Sequence, residues 1–526
     1  MEKSTGKRII KLSELLAAVK VIDSRNSKDI YITGIAYNSN QVIPGDLFVA
    51  IKGYKTDGHS YIPTAVENGA AAVIVEDYRE GIAVPQVRVG NSRQALSALS
   101  DKYYGHPSLK MKAIGITATK GKTTTAYMIN EILENHSLKT GLISTVIVKI
   151  GDQRRPADLT TPESLDLQHY FYLMSEQKIS HVIMEVSSSA LELSRAEHAD
   201  FDIVSLINIS RDHIDLHGSF EKYVEVKSSL IKKAGPGKWA ILNLDDPYSA
   251  KLVNETRARV LTFGLKNRSG DISCNNLDLS TGRPNFILEI NRPFVAEGKE
   301  YKPAAFNIEL SIMGYQTVYN AMVAAITGLL CGVPVHTIQE SLKSFKGVER
   351  RFEVIFEDHL TIIDDHCDTG ENVHVTLKTL QYMKYNNLRL IYSIRGSRGP
   401  TVNRDNAEAI AWWAPKLGMK EVVVTLSNSH VSDKDQVTDE EKTVFEETLC
   451  KAGVKMKLFK ELPDAISYAF SAVEPGDIVV LGGSQGMDYG ARFALEKVSQ
   501  SRPDIDRDQL FKPLKNRVAG NEGGEP

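Results

Sequence analysis

The stretch Gly115-Ile-Thr-Ala-Thr-Lys-Gly-Lys-Thr-Thr-Thr125 limits the possible folds more than any other part of the chain. An apolar run, Met111 to Ile116, leads into it, and a helix-like segment, Ala126 to Asn135, leads out. A strand, a glycine-containing turn and a helix in that order place backbone N–H groups and a helix N-terminus around one point, which is an anion site. In such a phosphate-binding loop Lys122 reaches the outer phosphates and Thr123 ligates Mg²⁺. The spacing is imperfect. The pattern G-x-x-x-x-G-K-[ST] asks for glycine at 116, where the chain has Ile116, and Gly115 comes one residue early. The competing reading is an ordinary strand-to-helix turn with a basic tip.

At 526 residues the chain exceeds one core, and roughly 100–200 residues per domain suggests about three domains. We expect boundaries at 1–108, 109–345 and 346–505, followed by a flexible tail, 506–526. A net charge of −3 gives no reason to expect nucleic acid or an anionic membrane as partner. The polar, basic N-terminus has no apolar core of a secretory signal. The four cysteines lie far apart without a CxxC pair, which suits a reducing cytoplasm and offers no structural zinc site.

The first segment reads as a small α/β unit, with β-like runs Leu47–Ile51, Ala71–Val75 and Val84–Val89. In the second, apolar runs alternate with helical patterns: Met111–Ile116, Thr140–Val148, His181–Val186, Ile203–Ile209 and Trp239–Leu244. Near-continuous apolar strands separated by helices predict a mainly parallel sheet covered on both faces, with ligands at the carboxyl ends of its strands. A polar, β-rich insert (261–310) and a strong helix (317–330) follow. From Phe352 the α/β pattern restarts with Leu360–Ile363, Leu388–Ile394, Glu421–Leu426 and Asp477–Leu481. The fold class is therefore α/β throughout, with a central parallel-sheet domain carrying the loop and a Rossmann-like third domain.

Three polar features close central strands. Glu185 ends His181–Val186, Asp212-His213 follows Ile203–Ile209, and Lys227 sits in a helical pattern, Glu221–Lys233. A carboxylate and an imidazole at neighbouring strand ends can hold a divalent cation beside the loop. Taken singly, His213 also reads as a helix-capping loop residue and Lys227 as part of a solvated helix face.

Together these motifs resemble the Mur ligases, most closely the MurE type, the UDP-N-acetylmuramoyl-tripeptide synthetases, over roughly residues 30 to 500. The resemblance is carried by Val42–Ala50 with Asp57-Gly58-His59, the loop Thr117–Thr125, Leu159-Thr-Thr-Pro162, Met184–Ser188 with Arg195, Asn208–Asp215 with His217-Gly218, Tyr223 with Lys227, Asn243–Asp246, Tyr319-Asn320-Ala321 and Arg351-Phe-Glu353. It implies a three-domain ligase. ATP would phosphorylate a carboxylate of a UDP-muramyl peptide, and an amino acid would then attack the acyl phosphate to form an amide of a peptidoglycan precursor. It also implies nucleotide contacts at Thr117, Thr119, Lys120, Gly121, Lys122, Thr123 and Thr124, with Asn320 at the adenine and Arg351 and Asp364 reaching the nucleotide from the third domain. One Mg²⁺ would lie near Thr123 and Glu185 and a second at His213. Lys227 would be carbamylated by CO₂. Ser39, Thr160, Thr161, Ser187 and Arg195 would hold the UDP-muramyl part. A cytoplasmic monomer acting on small molecules is expected.

The chain departs from the family at several positions. Ala118 and Lys120 replace loop residues, Ser189 a His, Asn40 an Arg, and Thr317 an Asn. In the third domain the family's D-Y-A-H-T-P, G-G-D-R-D, D-N-P-R and G-K-G-H-E segments appear as Asp364–Thr369, Arg395–Gly399, Thr425–His430 and Gly482–Gly486. A zwitterionic diamino acid calls for an Arg clamp and a carboxylate. Neither stands where the family puts it. Arg395, Arg398 and Arg404 are either acceptor ligands or surface residues. Two alternatives stay open: a ligase of the same mechanism recruited to another carboxylate, and a nucleotide-binding homologue without turnover.

Overall fold

The structure, a computed structural model, describes residues 8–53, 56–211, 217–515 and 517–520. The chain makes two compact units. The first comprises Met1–Ser273, Glu289–Ala304 and Met322–Ile338, and the second Cys274–Leu288, Ala305–Ala321 and Gln339–Pro526.

Two large sheets dominate the first unit, beside two two-stranded ribbons. Its N-terminal sheet orders the strands Val21–Arg25, Gln86–Val89, Ala72–Val75, Asp46–Val49 and Gly34–Ala36, all but the first pair parallel. Its larger sheet is centred on Lys112–Thr117, flanked in parallel by His181–Glu185 and Phe201–Leu206, with Trp239–Asn243 and Arg259–Gly264 beyond. The central strands are buried along their length, as strands covered on both faces must be. The expected boundary near residue 108 falls in the turn Pro107–Lys110. Helices Ser92–Tyr104 and Ser164–Glu176 join the two sheets, with the Tyr104 and Tyr172 rings 5.5 Å apart, and Tyr37 donates to Asp166 at 2.7 Å.

One apolar run is not the single strand expected. Thr140–Val148 divides into Thr140–Ile143 and Ile147–Ile150, an antiparallel hairpin at the sheet's side. Ser144 makes the turn: its hydroxyl accepts from the N–H groups of Val146 and Ile147 and so competes with strand pairing.

In the second unit a six-stranded sheet orders Glu353–Glu357, Thr361–Asp365, Ile478–Gly482, Leu388–Ser393, Val422–Thr425 and Met456–Phe459. Its first pair is antiparallel and the rest are parallel. The strand Met456–Phe459 was not expected, because it is a half-exposed edge in which Lys457 interrupts the apolar run. The insert is β-rich as expected, with strands Ile272–Asp278, Asn285–Ile290, Phe294–Ala296, Lys299–Tyr301 and Ala304–Glu309. The segment expected to be a flexible tail is packed through its described part. Arg507–Leu510 is helical, Leu510 is buried, and Arg517 is buried among carboxylates. Composition hid this because a single buried arginine leaves no apolar signal.

Candidate active site

Strand register assembles the site. In the parallel pairs Glu185 stands beside Ile116 and Leu206 beside Thr117, so three strand ends meet where the loop begins. Gly115 is a strand residue and not part of the cradle. A Cβ on it would lie 2.9 Å from the Phe201 ring, so the glycine serves sheet packing. The glycine the loop does need is Gly121, at φ 94°, which is the N-cap of the helix Lys122–Asn135 with no side chain capping it. Gly121, having no side chain, places no capping group over the start of that helix, which leaves room for a phosphate there. Ala118 is buried and adopts no positive φ, so its methyl strains nothing. Gly121→Ala is expected to cost about 1–2 kcal/mol and to weaken ATP binding, which thermal melting and calorimetry would measure together.

Asn208 fixes the loop from the neighbouring strand. Its carbonyl accepts from Thr119 N–H, its Oδ1 from Lys120 N–H, and its Nδ2 donates to the Lys120 carbonyl, each at 2.9 Å. Thr119 Oγ1 lies 3.0 Å from the Tyr223 hydroxyl. Two lysines converge on one oxygen. Lys122 Nζ and Lys227 Nζ each donate to the Ala118 carbonyl at 2.8 Å, so the two nitrogens lie within about twice that distance of each other. Lys227 is 1% exposed, with the Tyr223 ring 5.0 Å from its Nζ. The helix Phe220–Lys233 is amphipathic, and Lys227 is on its buried side. A solvated-face reading of Lys227 is thereby excluded.

Glu185 is fully buried and takes three hydrogen bonds: from Thr123 Oγ1 at 2.9 Å, Thr145 N–H at 2.8 Å and Thr145 Oγ1 at 3.1 Å. A threonine hydroxyl and a carboxylate at the start of a phosphate-binding helix are the hard oxygen donors that Mg²⁺ takes alongside phosphate. The donor set fits that ion. Among the described residues no cluster of three or more His, Cys, Asp or Glu could hold a metal unaided. His213 lies outside the described residues.

The expected substrate residues gather beside Glu185. Thr160 Oγ1 lies 3.1 Å from Thr145 Oγ1. Thr161 Oγ1 donates to the Glu185 carbonyl at 2.8 Å and accepts from Ser187 N–H at 3.1 Å. Arg195 reaches the Thr161 carbonyl at 3.3 Å and pairs with Glu163 at 2.7 Å. Ser39 is not among them. It is buried in a turn of the N-terminal sheet, where its carbonyl accepts from Asn68. Thr145 was missed from the sequence because it sat inside an apparent strand; the polar pair Ser144-Thr145 was the available signal.

In the second unit Asn320 is buried, and its Oδ1 has no hydrogen-bond partner among the described residues. Asp364 is not the open ligand expected. It is fully buried, with Arg350 Nε 3.3 Å from one oxygen and Arg517 2.7 Å from the other. Arg350, and not Arg351, makes the internal pair. Of the third-domain arginines, Arg395 is committed to Asp368 at 2.9 Å, whereas Arg398 and Arg404 are exposed. The loop Arg395–Gly399 opens the helix Pro400–Trp413, but Glu441 already accepts from the N–H groups of Ser397, Arg398 and Gly399. Burial raises the Glu441 carboxyl, but hydrogen bonds from the N–H groups of Thr438, Gly399 and Arg398 and from the Thr438 hydroxyl outweigh it and hold the group below its usual range. The helix's anion site is thus filled by the protein itself.

Such a loop, with its lysine, threonine and buried carboxylate on a parallel sheet, defines an α/β nucleoside-triphosphate-binding protein. Three family descriptions match along the chain: "Mur ligase family, catalytic domain" at 31–104, "Mur ligase middle domain" at 116–328 and "Mur ligase, glutamate ligase domain" at 350–485. The chain belongs to the Mur ligase family. A relative from Bacillus velezensis, UDP-N-acetylmuramoyl-L-alanyl-D-glutamate–2,6-diaminopimelate ligase, is 34% identical over 91% of this chain and 95% of its own. The enzyme of the same name from Halalkalibacterium halodurans is also 34% identical, over 92% and 94%. Among solved structures, MurF from Acinetobacter baumannii superimposes with a TM-score of 0.65 at 19% identity, covering 93% of this chain and 99% of that one. MurF from Thermotoga maritima in complex with ADP gives 0.60 at 20%, covering 89% and 98%. Both share the fold. Among the described residues no helix is long and apolar enough to cross a membrane.

Proposed function

We propose that the protein is an ATP-dependent, ADP-forming carbon–nitrogen ligase. It joins a carboxylate of a UDP-N-acetylmuramoyl-L-alanyl-D-glutamate-like substrate to an amino acid through an acyl phosphate, in peptidoglycan precursor synthesis. The observation that carries the reading is the convergence of Lys122, Lys227, Thr123 and Glu185 on one loop. Phosphoryl transfer to a carboxylate builds negative charge on oxygen, and positioned cations lower that barrier.

The loop and the helix N-terminus bind the phosphates, and Lys122, now turned onto the loop's own carbonyls, extends to them. Thr123 and Glu185 would hold one Mg²⁺ and His213 a second, and the ions would supply charge neutralisation at the phosphate oxygens. Two ammonium groups sharing the Ala118 carbonyl repel each other. Lys227, once it has lost a proton to solvent, would attack CO₂ as the neutral amine and release a second proton on forming the carbamate, an anion that would end that conflict. Asn320 Oδ1, which has no hydrogen-bond partner among the described residues, suits the amino group of adenine, and Arg351 would be the nucleotide contact of the third domain. Thr160, Thr161, Ser187 and Arg195 orient the muramyl-peptide part.

The acceptor residues depart from those expected for diaminopimelate, and this reading favours another amino acid. Ser427-Asn-Ser-His430 stands where an arginine clamp is expected, and Glu441 fills the neighbouring N–H cluster that could have taken a carboxylate. The test is mass-spectrometric detection of the extended nucleotide-sugar peptide after incubation with ATP, Mg²⁺ and each common amino acid or diaminopimelate. One amino acid should give product at a rate at least about tenfold above diaminopimelate. Preference for diaminopimelate would refute this specificity and leave the ligase reading standing.

A further inference from the structure

The last described residues of the chain are bound into the third domain at three acidic side chains. Arg517 donates to Asp364 Oδ2 at 2.7 Å and also to Glu353 Oε2. The backbone N–H groups of Val518 and Ala519 donate to the two oxygens of Glu349 at 2.8 and 3.2 Å. Gly520 packs against the Asp488 backbone, where a Cβ would stand 2.5 Å from the carbonyl oxygen, and the Asp488 carboxylate pairs with Arg350.

Glu349 and Glu353 bracket the turn Arg350-Arg-Phe352. That turn holds two non-glycine residues at positive φ, Arg350 at 54° and Phe352 at 51°. Such conformations persist only where the surroundings over-determine them. Here one oxygen, Glu353 Oε2, takes both the Arg350 N–H at 2.9 Å and the guanidinium of Arg517. The tail is therefore joined to the backbone of the turn through a single carboxylate, and to the side chain of Arg350 through Asp364.

We infer that Arg517 is a positioning residue: with the two peptide groups after it, it holds the Arg350–Phe352 turn, and hence Arg351, in the conformation that binds nucleotide. This rests on the reading of Arg351 as a nucleotide contact. Without the guanidinium, the buried carboxylates Asp364 and Glu353 lose a shared cation, and their repulsion is relieved by movement of the turn. Lysine restores charge but cannot bridge both carboxylates as a planar fork does.

The test uses the full chain, Arg517→Ala, Arg517→Lys and a chain ending at Gly520. ATP affinity is measured by calorimetry, KM for ATP and for the nucleotide-sugar by turnover, and Tm by melting. Arg517→Ala is expected to weaken ATP binding and raise its KM about tenfold, with the KM for nucleotide-sugar unchanged. Arg517→Lys should fall between, and the chain ending at Gly520 should match the full chain. If Arg517→Ala does not fold, Glu349→Gln, which loosens the grip on Val518 and Ala519 and removes a charge near Arg517, is expected to raise the KM for ATP about threefold. Unchanged ATP affinity with a lowered Tm overturns the inference and leaves Arg517 a brace. A full chain that binds no ATP overturns the proposed function itself, and the inference falls with it.

Discussion

Lys227→Ala should reduce ATP-dependent amide formation by at least about 10²-fold, the usual cost of removing one group aimed at developing charge, with ATP affinity changed far less. The side chain is 1% exposed and ends 2.8 Å from the Ala118 carbonyl, at the same oxygen as Lys122. A buried lysine in that position has two physical roles open to it. As an ammonium it neutralises the loop; as a carbamate it offers two hard oxygens beside a cation. The two are separable. If the carbamate is the working form, acetate added to Lys227→Ala should restore part of the rate by returning a carboxylate to the cavity, and Lys227→Arg, whose guanidinium stays charged, should be as slow as the alanine variant. If Lys227→Ala keeps its full rate, the carbamate assignment is wrong.

Glu185→Gln should be nearly as damaging, about 10²-fold in rate, with a raised Mg²⁺ requirement as its signature. The carboxylate accepts from Thr123 Oγ1, Thr145 N–H and Thr145 Oγ1. The amide keeps the volume, so packing is preserved, but it has lost the charge and carries a donor on one side. That NH₂ meets either the Thr145 N–H or hydroxyls that must reverse to accept from it. The affinity of the site for a divalent cation falls with the charge. Rate measured against Mg²⁺ concentration distinguishes this from a folding defect: saturating Mg²⁺ should recover part of the loss. A Glu185→Gln enzyme with unaltered Mg²⁺ dependence would place the ion elsewhere.

Much of this site was legible in the sequence because chemistry and periodicity coincide there. Apolar strands running into Thr117 and Glu185 reveal which residues stand at strand ends, and parallel pairing then brings them together, whereas the hold of Asn208 on the loop was not read from the sequence. The burial of Lys227 was legible only through the family's spacing, since a lysine in a helical pattern ordinarily points to solvent. Other features had no local signature. Gly115 looked like a loop glycine, yet it answers the Phe201 ring, a contact set by a strand far along the chain. Asp364 looked like a ligand, but Arg350 and Arg517 occupy both its oxygens, and a partner 153 positions away in sequence leaves no periodicity. The Glu441 cap over Arg398 and Gly399 is invisible for the same reason.

The most direct test of the ligase reading is phosphate release by the purified protein with ATP and Mg²⁺, with UDP-N-acetylmuramoyl-L-alanyl-D-glutamate and an amino-acid panel added singly and together. The predicted result is release that requires both the nucleotide-sugar and one amino acid, with ADP formed in equal amount. Release that ignores the nucleotide-sugar, or no release with any amino acid despite bound ATP, would contradict the account.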